Sequence, residues 1–259
     1  MRLKLLGTGA GPGTPAFHCQ CVACQEAREN PQLSRTRSGA LIDTGMGNFL
    51  IDASPDLRSQ LIRDRIESLE YVLITHWHYD HFGGLGEMEY YVKLVRHKPL
   101  PIFLPPEALN DFQAAYPNLH EVMEVNTWDF GERYEIGDLS FTPLPATHGV
   151  QTAGLLLEGK RKIAYFTDTS SLKAETADRL KKVDAFVCDA TFNGDNWFPD
   201  SHMSITEAVD EGQRIGAVKT VLTHLSMHYS IAATLDQINE RLKKFPDVSL
   251  AYDGMEFEL

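Results

Sequence analysis

The segment Ile74–Gly84, ITHWHYDHFGG, sets three of the chain's ten histidines and an aspartate within six positions. Neutral imidazoles crowded this closely gain little from one another, and as cations they would repel. A shared positive partner, a metal ion, is the economical explanation. The residues just before the cluster, YVLIT, read as a buried strand, so the histidines sit on the loop at a strand's C-terminal end, where open sheets keep their sites. His76 and His78, two apart on extended backbone, point the same way. Asp80 and His81 come after the bend and can face a second ion. A chance histidine run or a pH-sensitive surface loop would not arrive with a carboxylate and a Gly-Gly break.

One loop cannot complete a metal site, and further donors stand at other strand ends: His148 in PLPATHG, Asp168 in IAYFTDTS and His224 in TVLTHLS. Each ends an apolar run. Alone, each reads as a cap or turn residue; together with the cluster they read as ligands. Asp52 in LIDAS is the candidate to orient a ligand's ring nitrogen, against a simple Asx turn.

Apolar, β-rich runs occupy 2–7, 38–44, 48–53, 71–75 and 101–105, and again 138–144, 152–158, 162–167, 185–189, 219–223 and 248–252. Helical spacing marks a helix behind Asp56, with further helices at about 171–182, 204–214 and 231–244. Strands come in succession before each helix, so strict βαβ alternation does not fit, and an α/β sheet sandwich with helices outside does. A chain of 259 residues without low-complexity linkers reads as a single domain over 1–259, with a small loop at about 17–25 set apart by its cysteines. The Gly-rich GTGAGPGT (7–14) lacks the trailing Lys-Ser/Thr of a phosphate loop and reads as a turn at a site's edge.

A formal charge of −12 makes a long polyanion an awkward partner and leaves small anions held by metals. The short apolar run at the N-terminus suits no secretory signal, no stretch is long enough for a membrane span, and a cytoplasmic location is expected. In a reducing compartment the four cysteines suit ligands or buried thiols better than disulfides. Three of them, Cys19, Cys21 and Cys24 in HCQCVAC, fall within six residues beside polar neighbours, which points to a structural zinc loop. Its fourth ligand is taken as His228, in preference to His18 or Cys188; the latter reads as a buried strand thiol.

The HxHxDH cluster followed by a lone His, a lone Asp after an apolar strand and a last His after another strand resembles the metallo-β-lactamase superfamily in its two-metal hydrolase form, over nearly the whole chain. The resemblance implies an αββα four-layer sandwich with ions at one edge. It implies that His76, His78 and His148 hold one metal, that Asp80, His81 and His224 hold the other, and that Asp168 bridges them. Imidazole and carboxylate suit Mn, Zn or Fe.

The cysteine loop, the opening LGTGAGPGTPAFHCQC and the ending YDGMEFEL resemble the PhnP family of phosphodiesterases of the carbon–phosphorus lyase pathway, which carries such a zinc loop completed by a histidine. CDATF and DSHMSITEA resemble stretches of the tRNA 3′-end nucleases, where the histidine acts near the leaving group. His202 is therefore the candidate general acid, with Asp80 and Asp168 as the other catalytic residues and Asp189 orienting His202. No long basic Gly-Pro arm for gripping tRNA is present. The resemblance implies a small phosphorylated sugar or nucleotide as substrate: 5-phosphoribosyl 1,2-cyclic phosphate in phosphonate catabolism, or a 2′,3′-cyclic nucleotide, with cleavage on to the monoester left open. Arg35 and Arg37 in SRTRSG are candidates to receive a phosphate, against a solvated basic turn, and Trp197 to pack on a sugar or base. A homodimer is compatible with this reading. The competing readings are a tRNA 3′-end-type nuclease and a thioester or lactone hydrolase on the same scaffold.

Overall fold

Strands that read as continuous apolar runs need a sheet covered on both faces, and the computed structural model, which describes residues 1–259, supplies that cover. The first sheet contains β1 (Arg2–Gly7), β2 (Gly39–Asp43), β3 (Asn48–Ile51), β4 (Tyr71–Leu73), β5 (Leu100–Leu104) and β6 (Met123–Thr127). The second contains β7 (Tyr134–Ile136), β8 (Leu139–Pro145), β9 (Ala153–Glu158), β10 (Lys162–Phe166), β11 (Ala185–Asp189), β12 (Thr220–Thr223) and β13 (Val248–Leu250). A last strand, β14 (Glu256–Glu258), returns to pair antiparallel with β1 at the edge of the first sheet.

Both sheets are mixed. In the first, β1, β2 and β3 pair antiparallel and β3 to β6 parallel; in the second, β7 to β10 pair antiparallel and β10 to β13 parallel. Three apolar layers result, which makes the molecule the four-layer αββα sandwich expected. Leu3, Leu5, Phe49, Phe141, Tyr165 and Val187 fill the space between the sheets. Leu50, Val72 and Ile102 face outward under Leu57 and Phe112 of the helices Leu57–Asp64 and Leu109–Ala115. Phe166, Phe186 and Leu222 face the opposite way under Val209 and Ile238 of the helices Ile205–Ile215 and Leu235–Leu242. The strand β11 shows the rule: Ala185 and Val187 enter the inter-sheet layer, Phe186 and Cys188 the helix layer, and all are buried. Cys188 is thereby a packed strand thiol, as expected.

The helix Leu57–Asp64 follows Asp56, but that carboxylate does not cap it. It accepts instead from the Arg37 backbone N–H at 2.9 Å and from the Arg37 guanidinium at 3.1 Å. True capping boxes open the two helices over the second sheet, Ser204 with Glu207 and Thr234 with Gln237. The expected helix at 171–182 is shorter, Ala174–Arg179, and no helix is long and apolar enough to cross a membrane. Short elements that the pattern did not reveal are β6, β7, β14 and the helices Val22–Glu29 and Leu109–Ala115.

Candidate active site

The strands that end at one edge of the sandwich carry the residues singled out above. The β3 end is followed by Asp52, β4 by His76, β8 by His148, β10 by Asp168 and β12 by His224, while Asp189 is the last residue of β11. Trp128, fully buried, donates its indole N–H to the Ile74 carbonyl at 2.9 Å and so fixes the β4 end just before the histidine cluster. The Gly-Gly break has a steric reason. A side chain at Gly84 would place its Cβ 2.1 Å from the Ser54 carbonyl oxygen, so only glycine lets the loop double back after His81.

Four groups of donors converge, one of them Asp168, Asp189, His202 and His224. The ligand atoms of His76, His78 and His148 lie within 4.8 Å of one another, as do those of Asp80, His81 and His224, and those of His76, His81 and Asp168. The His148 Nε2 is 3.0 Å from the His78 Nδ1. The Asp168 carboxylate stands between the trios: its Oδ2 is 3.1 Å from His81 Nε2 and its Oδ1 is 3.4 Å from His224 Nε2. Yet the Nε2 atoms of His76, His81 and His224 and the Asp168 Oδ2 are buried without a hydrogen-bond partner. Orphaned imidazole nitrogens and a carboxylate aimed at common points are the donor chemistry of divalent transition metals.

The opposite ring nitrogens are all engaged, which sets the tautomers. Asp52 accepts from His81 Nδ1 at 2.8 Å and from the Thr75 hydroxyl at 2.9 Å, and that hydroxyl accepts from His76 Nδ1 at 3.1 Å. The second sheet repeats the device. Asp189 accepts from His202 Nδ1 at 2.7 Å and from the Thr191 hydroxyl at 2.8 Å, and that hydroxyl accepts from His224 Nδ1 at 2.9 Å. The His148 Nδ1 donates to the Ser201 carbonyl at 2.8 Å. Each carboxylate–threonine pair thus holds two histidines with Nε2 facing the cage.

Charge follows geometry. Burial, reinforced by His81, keeps His76 well below its usual range; burial opposes ionisation of Asp168, but the surrounding imidazoles, His224 foremost, hold it well below the usual carboxylate range. Burial works against the His202 imidazolium, yet the Asp189 carboxylate outweighs it and lifts this group to about 9. His202 packs its ring 5.0 Å from His148 and 5.2 Å from His224, and with Nδ1 spent on Asp189 its Nε2 is left for a bound molecule.

The cysteine loop lies behind this edge. Cys19, Cys24 and His228 bring their donors within 4.8 Å of one another, whereas Cys21, expected as a third thiol ligand, is not drawn into that trio. The Cys24 Sγ is 3.5 Å from His228 Nδ1, and burial, with its sulfur neighbours, pushes this thiol up to about 12. His18 is exposed beside Phe17. The Gly-rich segment is a site-edge loop as expected: a Cβ at Gly11 would stand 3.2 Å from the Asp80 carboxylate, and Ala10 donates to the Leu225 carbonyl next to His224.

The two arginines proposed for phosphate are not available. Arg35 is buried and donates to the Thr8 hydroxyl and the Ala251 carbonyl, anchoring the C-terminal segment. Arg37 is paired with Asp56 and donates from Nε to the Gly11 carbonyl at 2.7 Å, so it shapes the site-edge loop. Trp197 is half-exposed on the loop before His202 and packs on Phe192, which also neighbours the His202 ring. Sequence reading missed Thr75 and Thr191, although the latter lies inside CDATF, and it missed Tyr229, directly after His228. The Tyr229 ring stacks on Phe192 at 6.0 Å, and its hydroxyl has a raised pKa from burial and from Asp80.

A family model described as the Beta-lactamase superfamily domain matches residues 47–225. A Porphyromonas gingivalis protein named octanoyltransferase is 32% identical over 99% of this chain, and the chain spans about half of that protein, 51%. Among solved structures, a diphosphatase of the PhnP family superposes with TM-score 0.87 at 23% identity, covering 100% of this chain and 97% of that one. Zinc-bound PqqB from Methylobacterium extorquens superposes with TM-score 0.82 at 20% identity, covering 100% of both chains. At these identities the two structures establish a shared fold.

Proposed function

Because the chain belongs to the beta-lactamase superfamily, whose members are generally hydrolases, we propose that it is a two-metal phosphodiesterase acting on small ribose-type phosphodiesters. His76 Nε2, His78 Nδ1 and His148 Nε2 would hold one divalent ion, Asp80, His81 and His224 the second, and Asp168 both; Cys19, Cys24 and His228, with the neighbouring Cys21 as the proposed fourth donor, would hold a structural zinc. When bound, the active-site ions supply Lewis acidity and an activated water at neutral pH. The protein's own part is to hold the ligand tautomers through Asp52–Thr75 and Asp189–Thr191, and to deliver a proton from His202 to the departing alkoxide. The observation that carries this reading is the Asp189–His202 pair, bonded at 2.7 Å and packed against two ligand rings at the mouth of the cage.

A thioester hydrolase, the reading favoured by the octanoyltransferase name of the Porphyromonas relative, expels a thiolate that needs no proton, so a fixed acid has nothing to do there. Of the two phosphodiester candidates, 5-phosphoribosyl 1,2-cyclic phosphate and a 2′,3′-cyclic nucleotide, the first needs a cationic seat for its second phosphate, and Arg35 and Arg37 are engaged elsewhere.

The test is His202→Ala. It is expected to lower kcat on diesters with alkyl leaving groups by about 10²- to 10⁴-fold, with much less effect on a p-nitrophenyl diester and unchanged metal content by elemental analysis. Equal loss on both substrates, or none, would remove the acid role.

A further inference from the structure

We propose that Trp197 and Tyr229 form a recognition wall for a planar heterocycle on the ester arm, so that the enzyme prefers nucleoside-type diesters over bare sugar phosphates. This rests on the phosphodiesterase reading above and names its substrate class.

The wall starts at the proton donor. Phe192, fully buried, lies 6.4 Å from the His202 ring, 5.9 Å from Trp197 and 6.0 Å from Tyr229, and Trp197 and Tyr229 are 5.6 Å apart with planes 32° from one another. Trp197 is nevertheless 55% exposed. Its exposure is not that of a loose loop. The Asn196 amide donates to the His202 carbonyl at 2.7 Å and to Glu207 at 3.0 Å, and the backbone N–H groups of Ser201 and His202 both donate to the Phe198 carbonyl at 2.9 Å. The same loop supplies the Ser201 carbonyl that seats His148. The chain therefore spends fixed hydrogen bonds to present an indole to solvent on the loop that leads to His202, with Phe192 packed between the two rings.

The phenol adds a polar handle. Tyr229, half-buried, stacks its ring on Phe192 at 6.0 Å and carries a hydroxyl on the same ring that pairs with Trp197. Flat apolar faces with one hydroxyl suit a base, which offers a π-face and polar edges. They do not suit a second phosphate, which asks for the arginines that Thr8, Ala251 and Asp56 already occupy.

The experiment compares kcat/KM of the metal-loaded enzyme on adenosine 2′,3′-cyclic phosphate and on the 2′,3′-cyclic phosphate of methyl riboside, which lacks the base. The wild type is expected to prefer the adenosine substrate. Trp197→Ala and Tyr229→Ala are each expected to shrink that preference about tenfold or more, through KM, and Tyr229→Phe, which keeps the ring, to retain most of it. A preference unchanged in Trp197→Ala, or a wild type that favours the base-free substrate, overturns the proposal. Should neither diester be cleaved, the phosphodiesterase reading fails on its own. The wall is then judged by fluorescence: quenching by adenosine 5′-monophosphate but not by ribose 5-phosphate, lost in Trp197→Phe, supports it, and no quenching overturns it.

Discussion

Asp52 and His224 both take left-handed backbone, with φ of 62° and 52°, a conformation that few non-glycine residues adopt and that costs about 1–3 kcal/mol. In each case the unusual turn re-aims a strand end, setting Asp52 on the outer ring nitrogen of His81 and His224 in the cage. Asp52 is the sharper test of how the site is held, because its carboxylate receives the Nδ1 proton of His81 and thereby leaves Nε2 free. In Asp52→Asn the amide keeps the turn but presents an N–H to that ring, favouring the tautomer whose Nε2 carries hydrogen. Cation affinity is expected to fall about 10- to 100-fold, read by competition with a chromophoric chelator; undiminished affinity would show that Asp52 does not set the tautomer. Gly84 carries a steric constraint of similar weight. Gly84→Ala drives a Cβ into the Ser54 carbonyl, and urea unfolding is expected to show a loss of about 2–4 kcal/mol.

Elements position these residues through their ends rather than their middles. The helix Ile205–Ile215 begins one residue after Ser204, whose capping box with Glu207 also ties in Asn196 and so the loop bearing Trp197 and His202. Ser204→Ala is expected to lower stability by about 0.5–2 kcal/mol without changing metal stoichiometry, a pairing that elemental analysis and denaturant titration together check. The cysteine loop clamps another end. It joins the start of the helix Val22–Glu29 to the turn between His224 and His228. Cys24→Ser is expected to remove about one equivalent of zinc and to lower the melting temperature, since metal binding there is folding energy. Unchanged zinc and unchanged melting would mean that the three thiols are only packed side chains.

At the scale of the whole molecule, the formal charge of −12 would face the anionic diester proposed as substrate. Long-range repulsion should slow encounter and be relieved by salt. For an anionic diester, kcat/KM is therefore expected to rise, by less than about threefold, as salt is raised toward physiological ionic strength; a fall would instead reveal a steering basic surface. Much of the architecture was legible before any coordinates, because period and spacing are local properties. Strands in succession before each helix pointed to a sheet sandwich, and the donors stood after apolar runs; that they share one edge was what the resemblance implied. Short elements such as β7 and β14 escaped because three residues carry no period. By itself, then, the chain's order of residues pointed to a sheet sandwich, to donors at strand ends and to a cysteine loop, while the four-layer form and the ligand trios followed from the resemblance to the metallo-β-lactamase superfamily. Only the tertiary structure decided that Arg35 is a buried anchor, that Arg37 serves Asp56, and that Tyr229 joins Trp197 on Phe192. Burial and partner choice depend on which distant segments meet, and an arginine or an aromatic ring looks the same in sequence whether a carbonyl 216 residues away claims it or solvent does.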